Sequence, residues 1–119
     1  MDVTTRELPD AVICDLAGDL TYANRQAFKA AVDRVKQSGC PHLIVNLERV
    51  RFIDSSGLGL LALTASTFQA QHKHLSLLRP QPYVREILTL ANLAKMIPIY
   101  DSETDARRQQ GVMGQANVV

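Results

Sequence analysis

The residues whose types and spacing can do chemistry are Phe52-Ile53-Asp54-Ser55-Ser56-Gly57-Leu58-Gly59. The segment joins a carboxylate, two adjacent hydroxyls and two glycines where a strand and loop hand over to a helix. A helix start exposes four unpaired backbone N–H groups and carries a partial positive charge. Asp54 or Ser55 can cap those donors, and a phosphate on a neighbouring serine is electrostatically favoured there. The glycines permit close backbone approach and leave little side chain to obstruct a partner. A plain capped helix start would use the same residues, so local chemistry leaves both readings open.

A nucleophilic serine would need a base within hydrogen-bond reach, usually histidine. A helix from Ser56 to Gln71 puts its far end, where His72 and His74 follow, about 24 Å from the serines. His42 opens a strand and lies roughly 13 Å from the loop. The G-x-S-x-G elbow of serine hydrolases is absent, and Leu60 and Leu61 stand where a phosphate-binding loop would carry Lys-Ser or Lys-Thr. These features exclude ordinary serine catalysis, so no catalytic residue is assigned. His72-Lys73-His74 has no third ligand at diagnostic spacing and reads as a solvated turn, so no metal site is assigned. Cys14 and Cys40 form no metal spacing and read as reduced, buried thiols.

The elements that must position the serines follow from periodicity. Ala11 to Ala17 reads as a strand stopped by Gly18, with an edge strand around Val3 to Leu8 before it and Pro9-Asp10 as the turn. Ala27, Phe28, Ala31, Val32 and Val35 recur at helical spacing within Ala23 to Ser38, and Gly39 ends that helix. His42 to Leu47 is a nearly continuous apolar run, as a strand buried on both faces should be. The helix from Ser56 to Gln71 is rich in small residues; its Leu58-Leu60-Leu61 face suits a partner or a weak dimer. Leu75 to Leu78 is the next strand, and Pro80 and Pro82 introduce a helix from Tyr83 to Leu90. Leu88, Leu90, Leu93 and Met96 read as a core face. Ile97 to Tyr100 reads as a last strand, placed at an edge by Pro98. Ser102 and Asp105 resemble a capping box opening a helix to about Gln110. Strands alternating with helices imply an α/β domain with a partly parallel sheet.

The whole composition agrees. The chain has 119 residues, 46% of them apolar and 21% charged, with a formal net charge of +1. This suits one domain with one core, spanning 1–110, followed by a frayed tail at 111–119. The balanced charge gives no field for nucleic acid, and 5% aromatics without Trp make no base-stacking platform. The longest apolar run, Leu60 to Leu63, is far short of a bilayer span, and the first residues lack a secretory signal. A cytoplasmic protein without direct membrane insertion is expected.

Asp54-Ser55-Ser56-Gly57-Leu58-Gly59, preceded by Leu43 to Leu47, resembles the signature of STAS domains, and more narrowly that of bacterial anti-sigma factor antagonists. Gly18-Asp19-Leu20 is similar to that family's Gly-Glu-Leu turn, Tyr83 to Leu88 to its third helix, Asn92-Leu93 to its small-residue step, and Ser102 to Ala106 to its final helix start. The resemblance covers Ala11 to about Ala106. It implies an α/β STAS fold: a four- to five-stranded mixed, mainly parallel sheet with about four helices. It implies a binding switch without cofactors, not an enzyme. In that family the motif's second serine, here Ser56, is phosphorylated by an anti-sigma factor that is itself a serine kinase; Ser55 is the secondary candidate. The unmodified protein holds the kinase, the phosphorylated one releases it, and a metal-dependent serine phosphatase resets the switch. Asp19, Thr21, Asp54, Ser55, Gly57, Leu58, Gly59 and Leu61 are then the partner-binding residues, on a monomer or weak dimer. Thr21 departs from the family, which often has an Asp there that contributes to kinase recognition. Gln71-His72-Lys73 replaces a common glycine pair. Two other readings keep the fold: an adaptor subunit of a lipid or anion transport complex, and a partner switch controlling secretion or motility.

Overall fold

A computed structural model describes residues 1–108. Strand β1 (Asp2–Glu7) turns back on β2 (Val12–Leu20), and the turn is closed by the Leu8 N–H donating to the Ala11 carbonyl at 2.8 Å. A 3₁₀ turn (Tyr22–Asn24) leads into α1 (Arg25–Ser38), then β3 (His42–Ile53) and α2 (Ser55–Ala70). There follow β4 (His74–Leu78), α3 (Pro82–Leu90), the short α4 (Leu93–Met96), β5 (Ile99–Tyr100) and a final helix, α5, described over 103–108.

The five strands lie side by side in chain order, β1-β2-β3-β4-β5. Only the β1–β2 pair is antiparallel, because a hairpin joins it; the remaining pairs are parallel and need helical crossovers. The expected mixed, mainly parallel α/β sheet is therefore present. Its central strands are buried on both faces. Leu43, Val45 and Leu47 face the helical layer of α1, α2 and α3 with Phe28, Phe68 and Leu88. Ile44 faces the other way, with Ile13, Leu78 and Ala106 of α5.

Several boundaries differ from the sequence reading. Gly18 does not stop β2 but sits inside it at φ +112°, between two register shifts against β3. A left-handed residue there produces a bulge that only glycine takes without strain. Strand β3 continues six residues past Leu47, and that half pairs with β2 alone, beyond the last β4 contact at Asn46. Its exposed Glu48, Arg49 and Arg51 disguised it as a loop. Helix α1 begins at Arg25, and Ala27 is exposed. The last strand shrinks to Ile99–Tyr100, since the preceding Pro98 can only accept, from Leu77 at 2.9 Å. Leu88 and Leu93 are buried, but Leu90, the last residue of α3, and Met96, the last of α4, are exposed. Ser102 caps α5 by accepting from the Asp105 N–H at 3.0 Å. The expected end near Gln110 and the tail at 111–119 lie outside the described residues. Cys14 is buried and burial pushes its thiol up to about 12, whereas Cys40 is only half-buried, its thiol donating to the His42 carbonyl at 3.3 Å.

Candidate functional site

The site is assembled where β2 and β3 both end and α2 begins. Asp54 holds an extended conformation and caps α2: its Oδ1 accepts from the Gly57 N–H at 2.9 Å. Its Oδ2 accepts from the Tyr22 N–H at 3.1 Å, and its own N–H donates to the Leu20 carbonyl at 3.3 Å. One residue thus ties the helix start to the turn after β2. The Gly57 and Tyr22 amides together hold the Asp54 carboxyl below the usual carboxylate range. Of the two capping candidates the structure selects Asp54, and Ser55 becomes the first helical residue.

Gly57 explains the closeness of this joint. A Cβ there would lie 2.3 Å from the Leu20 carbonyl oxygen and 2.9 Å from Ile53 Cγ2. Glycine at 57 is therefore what lets α2 rest on the ends of β2 and β3. Gly59, by contrast, faces open space.

The rigid joint leaves the serines in the first turn of α2, Ser55 exposed and Ser56 half-buried. Ser55, Gly59 and Leu63 recur every four residues and form one exposed stripe, flanked by the half-buried Leu58, Leu60 and Ala62. Leu63 is 63% exposed and was not foreseen as part of this face. Leu61, expected to meet a partner, is instead wholly buried in the core with Leu20 and Phe68. The helical period places it opposite Leu63. Gly57 too is buried, so its role is to position the helix and not to touch a partner.

The turn supplies the other border. Thr21 is half-buried, and its carbonyl accepts from Asn24 at 3.1 Å. Tyr22 is 61% exposed, with the Arg25 guanidinium 3.7 Å above its ring, a cation–π pair that holds the ring outward. Phe52 is also exposed beside this end of β3. Neither aromatic ring was singled out from the sequence, although a tyrosine directly after Thr21 and a phenylalanine out of phase with Ile53 were available signals. Asp19 lies at the same end of β2; its carboxylate stands 3.7 Å from Arg51, and its carbonyl accepts from Asn24 at 3.0 Å. The turn meets the helix start through Leu20 and Tyr22.

Chemically, the arrangement offers an accessible hydroxyl in the field of a helix N-terminus. All three histidines lie elsewhere: His42 starts β3, and His72 and His74 follow α2. A 16-residue helix puts that far end about 24 Å from Ser56. Among the described residues no group of three or more His, Cys, Asp or Glu could hold a metal ion, and no helix is long and apolar enough to cross a membrane.

The model of the STAS domain family matches residues 2–106. The chain is 27% identical over 96 residues to the anti-sigma F factor antagonist of Paenibacillus polymyxa, covering 80% of this chain and 82% of that relative. The fold superposes on the anti-sigma factor antagonist SpoIIAA in its unphosphorylated form with a TM-score of 0.76 and 26% identity, over 92% of this chain and 97% of the other. It superposes on the Bacillus cell fate determinant SpoIIAA in the phosphorylated form with a TM-score of 0.71 and 24% identity, over 91% and 98% of the two chains.

Proposed function

The chain belongs to the STAS domain family, and on that premise we propose that it is an anti-sigma factor antagonist working as a partner switch in the cytoplasm. In this reading it has no catalytic role and needs no cofactor. It binds an anti-sigma factor that is a serine kinase when Ser56 is free, and releases it when Ser56 is phosphorylated. A metal-dependent serine phosphatase restores the free hydroxyl. Ser55 is the secondary acceptor. Asp19, Thr21, Asp54, Ser55, Leu58 and Gly59 border the contact, with Tyr22, Phe52 and Leu63 added from the exposed surface.

The observation that carries the proposal is Ser56 in the first turn of a helix whose start is fixed by Asp54 and Gly57, beside the bare surface at Gly59. The similarity to anti-sigma factor antagonists supports it, as does the existence of SpoIIAA in both unphosphorylated and phosphorylated forms. A phosphate adds about −1.5 to −2 charges at neutral pH. The helix N-terminus tolerates that charge, so the fold persists. A partner surface fitted to a small neutral hydroxyl would have to desolvate the phosphate and meet its charge beside Asp54, so the complex separates.

The test is incubation of the protein with an anti-sigma factor kinase of its source and ATP, followed by intact mass and site mapping. A single phosphate on Ser56, with loss of the complex, is the expected result. Ser56→Ala should bind permanently, and Ser56→Asp should bind at least about tenfold more weakly with an unchanged melting temperature. Undiminished binding by Ser56→Asp would overturn the switch, as would failure of every such kinase to modify the folded protein.

A further inference from the structure

The opposite end of α2 borders a second site. The turn after α2, the starts of β3 and β4, and α4 enclose a cavity of ≈670 Å³, within the range of small-molecule sites. Lys73 lines it from the turn and Lys95 from α4, and the rest of its polar lining is neutral amide, hydroxyl and imidazole, Gln69 and His72 among them with His42, His74, Ser76 and Tyr100. No Asp or Glu lines it among the described residues. That is a marked local imbalance in a chain with 13 basic and 12 acidic residues. At its floor His42 and Ser76, only 1% and 3% exposed, are hydrogen bonded at 2.8 Å. Burying such a pair costs desolvation that two apolar residues would avoid, so the floor keeps a polarity the core does not need. The rest of the wall is apolar, formed by Ala65, Leu75, Ala94, Met96 and Pro98. Met96 is 42% exposed there, apolar surface left for an apolar group to cover.

We propose that this cavity binds a small organic anion, its anionic head held between Lys73 and Lys95 and its apolar body laid against Met96 and the Tyr100 ring. Two lysines on separate elements supply point charges without a competing carboxylate. The half-enclosed setting makes their attraction stronger than on open surface. The apolar wall adds burial that a bare inorganic anion cannot use. A nucleic acid or a protein helix would not fit a cavity of this size. The site does not rest on the partner-switch reading, since its lining begins at Ala65, about 14 Å along α2 from Ser56, and runs on to the turn at the helix's far end.

The test titrates phenyl phosphate into the whole isotope-labelled chain, followed by amide NMR shifts, with inorganic phosphate and benzyl alcohol as head-only and body-only probes. Phenyl phosphate should shift the amides of 72–76 and 94–96 saturably, and each partial probe should bind more weakly. Losing charge-assisted contacts costs roughly tenfold or more in affinity, which the Lys73→Gln/Lys95→Gln double variant should show. Lys95→Gln alone, at an exposed position that leaves packing intact, should weaken binding severalfold. Lys29→Gln, on α1, should leave it unchanged. Equal affinity for inorganic phosphate, unsaturating shifts, shifts centred on 54–59, or full affinity in the Lys95→Gln chain would overturn the proposal.

Discussion

Gly57 and Gly59 stand two residues apart on one helix and answer to opposite demands. Gly57→Ala must force its new methyl against the Leu20 carbonyl, 2.3 Å away. Because the obstacle is backbone, the helix must move, at a cost of about 1–3 kcal/mol. Gly59→Ala meets nothing within 4 Å and should gain about 0.5–1 kcal/mol from helix propensity. Urea unfolding of both variants checks the pair. The sequence marked both as glycines near a helix start, but it could not rank them, since the deciding atom belongs to a strand more than thirty residues earlier. Asp54 was legible as a cap because capping is local; its second bond, to Tyr22, was not. The carboxylates also set an acid limit. Asp54 is held low by the Gly57 and Tyr22 amides. Asp15 is raised by burial, but its bonds to Arg6 and Asn46 outweigh that and hold it low. With folded-state values depressed, their stabilisation is complete above the ordinary carboxylate range near pH 4 and fades as pH falls below it. The melting temperature should therefore drop as pH falls below about 4, and drop less in an Asp15→Asn/Asp54→Asn variant.

At the scale of elements, the turn after α2 is a strained solution. His72 adopts φ 59°, the left-handed region that glycine occupies freely. His72→Gly should therefore stabilise the chain by up to about 1 kcal/mol, the cost of a side chain there less the glycine's added unfolded-state entropy. A small rise in melting temperature is the readout. The replacement of the family's glycine pair was visible in the sequence; the conformation was not. Helices and central strands were legible because Phe28, Val32 and Val35, or Leu43 to Leu47, repeat at the period of one element. The second half of β3 was not, because a strand paired on one side and charged on its exposed positions has no clear period. Leu61 and Leu63 show the same limit: small residues all round α2 concealed which side meets the core.

For the molecule as a whole, Arg6 acts as a clasp. Its guanidinium grips Asp15 on β2, at 2.6 and 3.0 Å, and Glu103 on α5, at 3.3 and 2.8 Å. Arg107 reaches Asp10 at 3.3 Å from the same helix. Arg6→Met should cost about 1 kcal/mol, as partly exposed charge networks do. Hydrogen exchange should quicken across 103–108 while the amides of β3 stay protected. The α/β class and the strand count could be read in advance; this clasp could not, since its partners are 97 positions apart.

The strand order, with each strand beside its neighbour in the chain, bears on how the protein is made. Each new strand finds its template already synthesised and never waits for a later one, so the sheet can assemble from its N-terminal hairpin outward as the polypeptide leaves the ribosome. Among the described elements, α5 is the last to close, onto the face carrying Ile13, Ile44 and Leu78.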